Sequence, residues 1–299
     1  MQVDAGSVIA RYFPANLKQA AACWGVLLAL SGCASHKTLT VQPPAITAKG
    51  FQYSPTVSIN YETHGTGATP ILLLHGFAGS LETWRDIQPL LEDSFTLYMI
   101  DLKGAGLSSK PRDANYTVDA QAQIVESFIA HLNLTNVVLV GHSYGGAVAL
   151  MTTIHLQRTP PSPLSRLILI DGAAYPQKLP FFMKAVSNTL LKGIVDLFPA
   201  HTRASIALKR TFFDPSKVSD EHIDRTARFM DVPGAHYALA QTARQLIPAN
   251  MAAFISALPT IQLPTLIHRR LACQDRAGDC VALALPLRHH ADSNLTGHC

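Results

Sequence analysis

The chain reads as an α/β protein: a mostly parallel sheet with helices on both faces and an inserted helical cap. Three observations predict it. Ile71-Leu72-Leu73-Leu74, Val137-Val138-Leu139-Val140 and Leu167-Ile168-Leu169-Ile170 are short, continuous apolar runs, the length of strands buried on both faces. Helical patterns separate them, and that alternation of strand and helix is what parallel crossovers require. From Pro176 to about Leu258 the pattern becomes helical, as in an insertion that covers a sheet.

Taken in order, residues 57–61 and 71–74 read as strands, 81–91 as a helix and 95–101 as a strand. A helix over 118–132 follows, then a strand over 137–140 and an alanine-rich helix over 145–157. Strands at 167–170 and 264–268 bracket the cap. Within the cap, Leu179, Phe182, Met183, Val186, Leu190, Ile194 and Leu197 recur at helical spacing, with Lys184, Asn188 and Lys192 opposite. Phe181 and Leu191 widen that apolar stripe toward a pocket or a lipid surface. Ser219 before Asp220-Glu221 is an N-cap with an acidic first turn, and Pro233-Gly234 opens a helix running to Leu246.

At 299 residues and 48% hydrophobic content the chain can bury a substantial core as one domain with an insertion. A formal charge of +4, with no basic block interleaved with aromatics, argues against a nucleic-acid partner. No fixed-period repeat, C-x-x-C or H-E-x-x-H is present, so neither metal nor cofactor is expected.

The N-terminus differs from the rest. Lys18, the apolar stretch 20–30 and Leu30-Ser31-Gly32-Cys33 follow the charged, apolar and small-residue order of an export signal too short to span a membrane with assurance. The last four residues resemble a bacterial lipobox, which implies acylation of Cys33. Residues 1–32 are then a signal peptide, and 33–50, with Pro43-Pro44, a polar tether. The sheet-forming core would comprise 51–175 and 259–299, and the cap 176–258. The expected location is outside the cytoplasm on a bacterial membrane, and Ala34 after Cys33 resembles the outer-membrane pattern. Cys273, Cys280 and Cys299 would remain beyond the anchor, an odd number that defines no disulfide framework.

Chemistry is carried by Gly141-His142-Ser143-Tyr144-Gly145, between an apolar strand and a small-residue helix. A serine on a strained strand-to-helix turn brings neighbouring backbone so close that its flanks must be small. His75-Gly76-Phe77 ends an earlier strand, and Asp101-Leu102-Lys103-Gly104-Ala105-Gly106-Leu107-Ser108 ends another. With these motifs the chain resembles the α/β-hydrolase superfamily, from about Phe51 to about His268. The resemblance implies that Ser143 is a nucleophile and that backbone N–H groups of Phe77 and Tyr144 form an oxyanion hole. It assigns His75 to shaping that loop, His142 to packing beside the elbow and Asp101 to fixing its glycine-rich turn.

A triad needs an acid and then a histidine. Asp275, in Gln274-Asp275-Arg276, is the expected acid, although the glycine usual before it is missing; Asp171 and Asp279 are alternatives. His298, in Gly297-His298, is the expected base, while His289 and His290 belong to no recognisable motif. The tail after His268 has four arginines, three cysteines and three histidines, but no lysine, glutamate or aromatic residue. The family's last strand and covering helix are absent from its pattern, which points to a truncated or frame-shifted C-terminus.

The expected activity is hydrolysis of a small-molecule carboxylic ester with an apolar acyl part, by an enzyme anchored to a membrane. Carbon-carbon bond hydrolysis and cofactor-free perhydrolysis use the same nucleophile and stay open. A serine argues against dehalogenase and epoxide hydrolase chemistry, which uses aspartate in this fold. A non-catalytic, hydrolase-like binding protein is the alternative from another class.

Overall fold

The seven strands follow from the apolar runs. The structure, a computed structural model, describes residues 49–172, 197–212 and 214–268, all within one unit, Thr47–Cys299. The strands are β1 (Lys49–Ser54), β2 (Val57–His64), β3 (Pro70–Leu74), β4 (Thr96–Ile100), β5 (Val137–His142), β6 (Leu164–Ile170) and β7 (Thr265–His268). They form one sheet in the order β1-β2-β4-β3-β5-β6-β7. β1 and β2 pair antiparallel, as do β2 and β4; every other neighbouring pair is parallel.

Alternate residues of the central strands feed two cores. Leu72 and Leu74 of β3, Val137 and Leu139 of β5 and Leu167 and Leu169 of β6 pack with Val125, Phe128, Val148 and Leu150. Those four residues come from α2 (Val118–His131) and α3 (Tyr144–Leu156). Ile71, Leu73, Leu97, Met99, Val138 and Val140 point the other way, onto Leu81 and Trp84. Both faces are therefore dry, which is why these strands are apolar at every position.

Two elements of the core differ from the sequence reading. The helix expected over 81–91 is a 3-10 turn, Leu81–Trp84, followed by the four-residue α1 (Gln88–Leu91). Pro89 lacks the N–H that would bond one turn back, so a continuous helix loses a rung there. β1 begins at Lys49, inside the stretch read as tether, and pairs Lys49 with Tyr61; only Phe51 of its six residues is buried, which left no apolar run to detect.

The described part of the cap contains α4 (Ala200–Thr211), α5 (Asp220–Ala227), α6 (Ala235–Arg244) and α7 (Met251–Ala257). α5 starts at Ser219 as its pattern predicts, with a capping box closed by His222. Ala204 of α4 packs with Val218 and Ile223 as a small separate core. Among the described residues no helix is long and apolar enough to cross a membrane. At β7, one edge of the sheet among the described residues, Leu266 and Ile267 are exposed.

The residues 1–32, Cys33, most of the tether, the stripe from Leu179 to Ile194 and the whole tail after His268 lie outside the described residues. Asp275, Asp279, His289, His290 and His298 belong to that tail.

One buried carboxylate fastens the loops above the sheet. Asp101, at the end of β4, accepts from Asn60 Nδ2 at 2.7 Å, Leu81 N at 2.8 Å and Leu107 N at 2.8 Å. It thereby joins β2, the 3-10 turn and the glycine-rich turn. Asp101→Asn puts an amide N–H against donors that need an acceptor, and should lower the unfolding free energy by about 3 kcal/mol. Urea denaturation of parent and variant measures this, and a difference below about 1 kcal/mol would show that the carboxylate is not the fastener.

Candidate active site

Register brings the site together. Leu74 of β3 pairs with Gly141 of β5, so the loop after β3 and the turn after β5 leave the sheet side by side. Ser143 follows β5 and precedes α3, with φ 51° and ψ −115°, a conformation side chains rarely adopt. Its N–H donates to Ile170 O at 2.9 Å and its carbonyl accepts from Gly146 N at 2.9 Å. The flanking glycines are steric necessities. A Cβ on Gly141 would lie 2.4 Å from Gly145 O, and one on Gly145 only 2.3 Å from Leu74 O. A Cβ on Gly76 would stand 3.3 Å from the Ser143 Cβ, a measure of how closely the β3 loop approaches the serine.

The peptide that carries the Phe77 N–H is held by its own carbonyl. Gly76 O accepts from Gly79 N at 3.1 Å and from His75 Nδ1 at 2.8 Å. In a planar trans peptide the N–H points opposite to the carbonyl, so this anchoring turns the Phe77 N–H away from His75 and Gly79. Tyr144 is the first residue of α3, where a backbone N–H has no carbonyl one turn back to serve.

His75 is committed to this scaffold. Its Nε2 accepts from Leu102 N at 3.0 Å, so Nδ1 carries the proton given to Gly76 O. Burial holds the imidazole below its ordinary pKa, with Asp101 acting the other way. A neutral ring with both nitrogens engaged is no general base. His142 is held low by burial as well, against the pull of Asp171. It meets the Trp84 ring edge-on at 6.5 Å, a packing contact.

Of the three candidate acids, Asp171 is the one among the described residues. It ends β6 with φ 46°, donates N–H to His268 O at 2.9 Å, and is next in the chain to Ile170, whose carbonyl receives the Ser143 N–H. The structure thus brings Ser143, Phe77, Tyr144 and Asp171 to the C-terminal ends of β3, β5 and β6. Among the described residues no cluster of three or more His, Cys, Asp or Glu could hold a metal ion.

A cavity of about 70 Å³ adjoins these groups. Gly76, Phe77 and Tyr144 form one wall, and Phe229, Met230 and Leu239 of the cap another; Ser143 itself does not line it. The cap is clamped above this wall by charges that the sequence did not reveal. His222 Nδ1 accepts from Ser219 N at 3.3 Å, so its Nε2–H donates to Asp86 Oδ2, 3.0 Å away. Arg225 donates to the other oxygen of Asp86 at 3.0 Å, and Arg228 stands 3.9 Å from Glu82. These pairs join residues more than a hundred positions apart and leave no local pattern.

Residues 69–268 match the α/β hydrolase fold family. The chain is an α/β hydrolase. Among curated proteins this hydrolase is similar to a Synechocystis protein named "Putative non-heme chloroperoxidase", with 30% identity over 82% of the chain and 88% of that protein. A dihydrolipoyllysine-residue acetyltransferase component of an acetoin cleaving system from Pseudomonas putida is 29% identical over 61% of the chain. The hydrolase spans about half of that relative's length, 46%. Among solved structures, the epoxide hydrolase CorEH aligns with a TM-score of 0.63 at 21% identity, over 74% of this chain and 81% of that one. A meta-cleavage product hydrolase from Pseudomonas fluorescens aligns with a TM-score of 0.59 at 21% identity, over 71% and 75%. Likeness at that identity is likeness of fold.

The clamp has a pH signature. The His222 hydrogen bond, aided by Arg225 against partial burial, holds the Asp86 carboxyl below its ordinary pKa. A depressed carboxylate stabilises the fold above its unfolded pKa of about 3.9, and that contribution is lost as pH falls through the folded value. Asp86 is well exposed, so screening keeps the effect near 0.5 kcal/mol, or about 1–2 °C in Tm. Asp86→Asn should show that deficit at pH 7 and none near pH 2–3. A deficit constant across this range, read by thermal denaturation, would rule the clamp out.

Proposed function

We propose that this α/β hydrolase cleaves carboxylic esters of small molecules through an acyl-enzyme. One observation carries the reading: Ser143 is held in its rare backbone conformation between a strand end and a helix start, against Gly76 of the β3 loop. Ser143 Oγ attacks the ester carbonyl carbon while a histidine takes its proton, and the N–H groups of Phe77 and Tyr144 receive the oxyanion. The bond to the alcohol oxygen breaks as the histidine returns that proton to it. Water, deprotonated in the same way, attacks the acyl carbon, and the acid leaves as Ser143 is restored. His298 is the proposed base and Asp275 the proposed acid. Asp171 is the alternative acid, supported by its place beside the elbow, and Asp279 the remaining one.

A second reading keeps the nucleophile and changes the bond broken. The likeness to a meta-cleavage product hydrolase supports cleavage of a carbon-carbon bond beside a ketone at least as well as it supports ester cleavage. A non-catalytic binding protein would hold the same fold without an activated serine.

The three separate in one set of assays. The parent should hydrolyse 4-nitrophenyl acyl esters, and Ser143→Ala should lose about a thousandfold or more in kcat/KM. A variant as fast as the parent removes serine catalysis altogether. Cleavage of a β-diketone with no ester turnover puts the second reading in place of the first. Fluorophosphonate labelling requires an activated serine, so its absence favours the binding protein, and its loss in His298→Ala identifies the base.

We propose further that Cys33 is lipidated and holds the enzyme on a bacterial membrane, on the strength of Lys18, the apolar stretch and Leu30-Ser31-Gly32-Cys33. Cys33→Ala should block processing and move the protein out of the membrane fraction; unchanged partitioning would overturn the assignment.

A further inference from the structure

The cap divides where its packing changes. Ala204 of α4 and Ile223 of α5 share a small core with Val218, against which Leu208, Ala227 and Met230 pack; among the described residues it is separate from the two cores of the sheet. After Gly234 the chain joins the sheet instead, and Leu246 and Phe254 belong to the large core. α6 is seated there on Tyr116, whose ring meets Tyr237 edge-on at 6.2 Å and whose N–H donates to Gln245 Oε1 at 3.0 Å. Lys103 lies over the Tyr116 ring, 4.6 Å from its centre, and donates to both oxygens of Asp113, at 2.9 and 2.7 Å. A Cβ on Gly234, which has φ 84°, would stand 2.9 Å from that of Lys110. Lys110 Nζ in turn donates to Gly106 O, Ser108 O and Ala105 O, at 2.6, 2.8 and 3.4 Å. The chain therefore passes from α5 to α6 over a pinned glycine. Just before it, Asp231 accepts from Arg203 of α4 and from His236 of α6.

The cavity beside the elbow lies across this division. Ala235, Leu239 and Thr242 wall it from the seated part, and Thr226, Phe229 and Met230 from α5 and the turn after it. Met230 also packs on the α4–α5 core, so this wall stands where those two helices stand. Charged bonds hold α5 to the segment around the 3-10 turn: Asp86 takes His222 and Arg225, and Arg228 faces Glu82. None of them strands a buried charge on release. Asp86 is well exposed and turns to water, Glu82 keeps Arg85 Nε at 3.1 Å, and Arg225 keeps Glu221 at 4.0 Å. Exposed pairs contribute little one by one, so they set the position of a wall and leave it free to move.

We propose that Asp86 is a positioning residue that sets the size of substrate admitted to the cavity: through Arg225 and His222 it latches α4 and α5 to the core, and its release swings Phe229 and Met230 outward about Gly234. The latched cavity, about 70 Å³, is less than half the ~150 Å³ that holds benzene. A short arm of an ester fits it, and a long arm enters when the latch is open. The substrate rests on the ester-cleaving reading; the movement does not.

Charge reversal with rescue tests this in the full chain at pH 7. Asp86→Arg sets a cation against Arg225, and adding Arg225→Glu restores an opposite pair. Hydrogen–deuterium exchange of amides 222–231 should quicken about fivefold in Asp86→Arg and return to within about twofold of the parent in the double variant. With esters, the octanoate-to-butyrate ratio of kcat/KM for 4-nitrophenyl esters, or the octyl-to-butyl ratio for acetates, should rise about fivefold and fall back in the same way. Rescue of a size preference is a change that loss of stability alone would not produce. Unchanged exchange in Asp86→Arg overturns the inference, as does quicker exchange with both size ratios unchanged. If no form hydrolyses any ester, the ester reading fails; quicker exchange with rescue then still supports the latch, and unchanged exchange overturns it. Should Asp86→Arg not fold, Asp86→Asn, a neutral change at an exposed site, should quicken exchange about twofold, and no change there overturns the inference as well.

Discussion

The close approach of the α3 start to the end of β3 is the constraint on which the rest of the structure depends. Gly145 packs its α-carbon against the carbonyls of Leu74 and His75 with no room for a methyl group. That contact holds the first turn of the helix over the neighbouring strand and forces Ser143 into a conformation costing about 1–3 kcal/mol. The surrounding sheet over-determines it: β5 is paired on both sides, with β3 and with β6, and is buried along Val137–Gly141. A serine in this setting cannot relax by rotating its backbone.

Around that fixed point the loops are held by polar groups that are buried, as Asp101 and His75 are, or half-buried, as Lys110 is. Asp101 gathers three segments through one carboxylate. His75 joins the β3 loop to Leu102, and Lys110 gathers three carbonyls of the glycine-rich turn. Each replaces bonds to water with several bonds inside the protein, the condition under which a buried polar group is tolerated. The result is a rigid floor beneath the cavity, whereas the cap above it is attached partly through exposed ion pairs such as Asp86 with Arg225.

The strands buried on both faces were legible because dryness demands apolar side chains at every position, and Ser143 with its flanking glycines was legible because crowding demands small neighbours in sequence. The parts proposed for Tyr144 and Phe77 came with them, since those parts are backbone. β1 was not legible: it is an edge strand with one buried residue. Nor was the break at Pro89, where a helical apolar pattern outweighed the missing donor. α4 and α7 escaped notice because Ala204 and Phe254 are their only buried residues. The partners of Asp86 depend on which distant segments meet, and spacing along the chain does not encode that.

The two bound lysines also bear on how a molecule reaches the cavity. A site lined by unpaired cations focuses field lines and draws anions from a distance, at rates that fall as salt is added. Lys103 spends its charge on Asp113 and Lys110 gives its donors to backbone carbonyls, so of these two described side chains neither offers a bare ammonium as such a beacon. As far as these two side chains are concerned, a molecule is left to find the cavity by diffusion and shape.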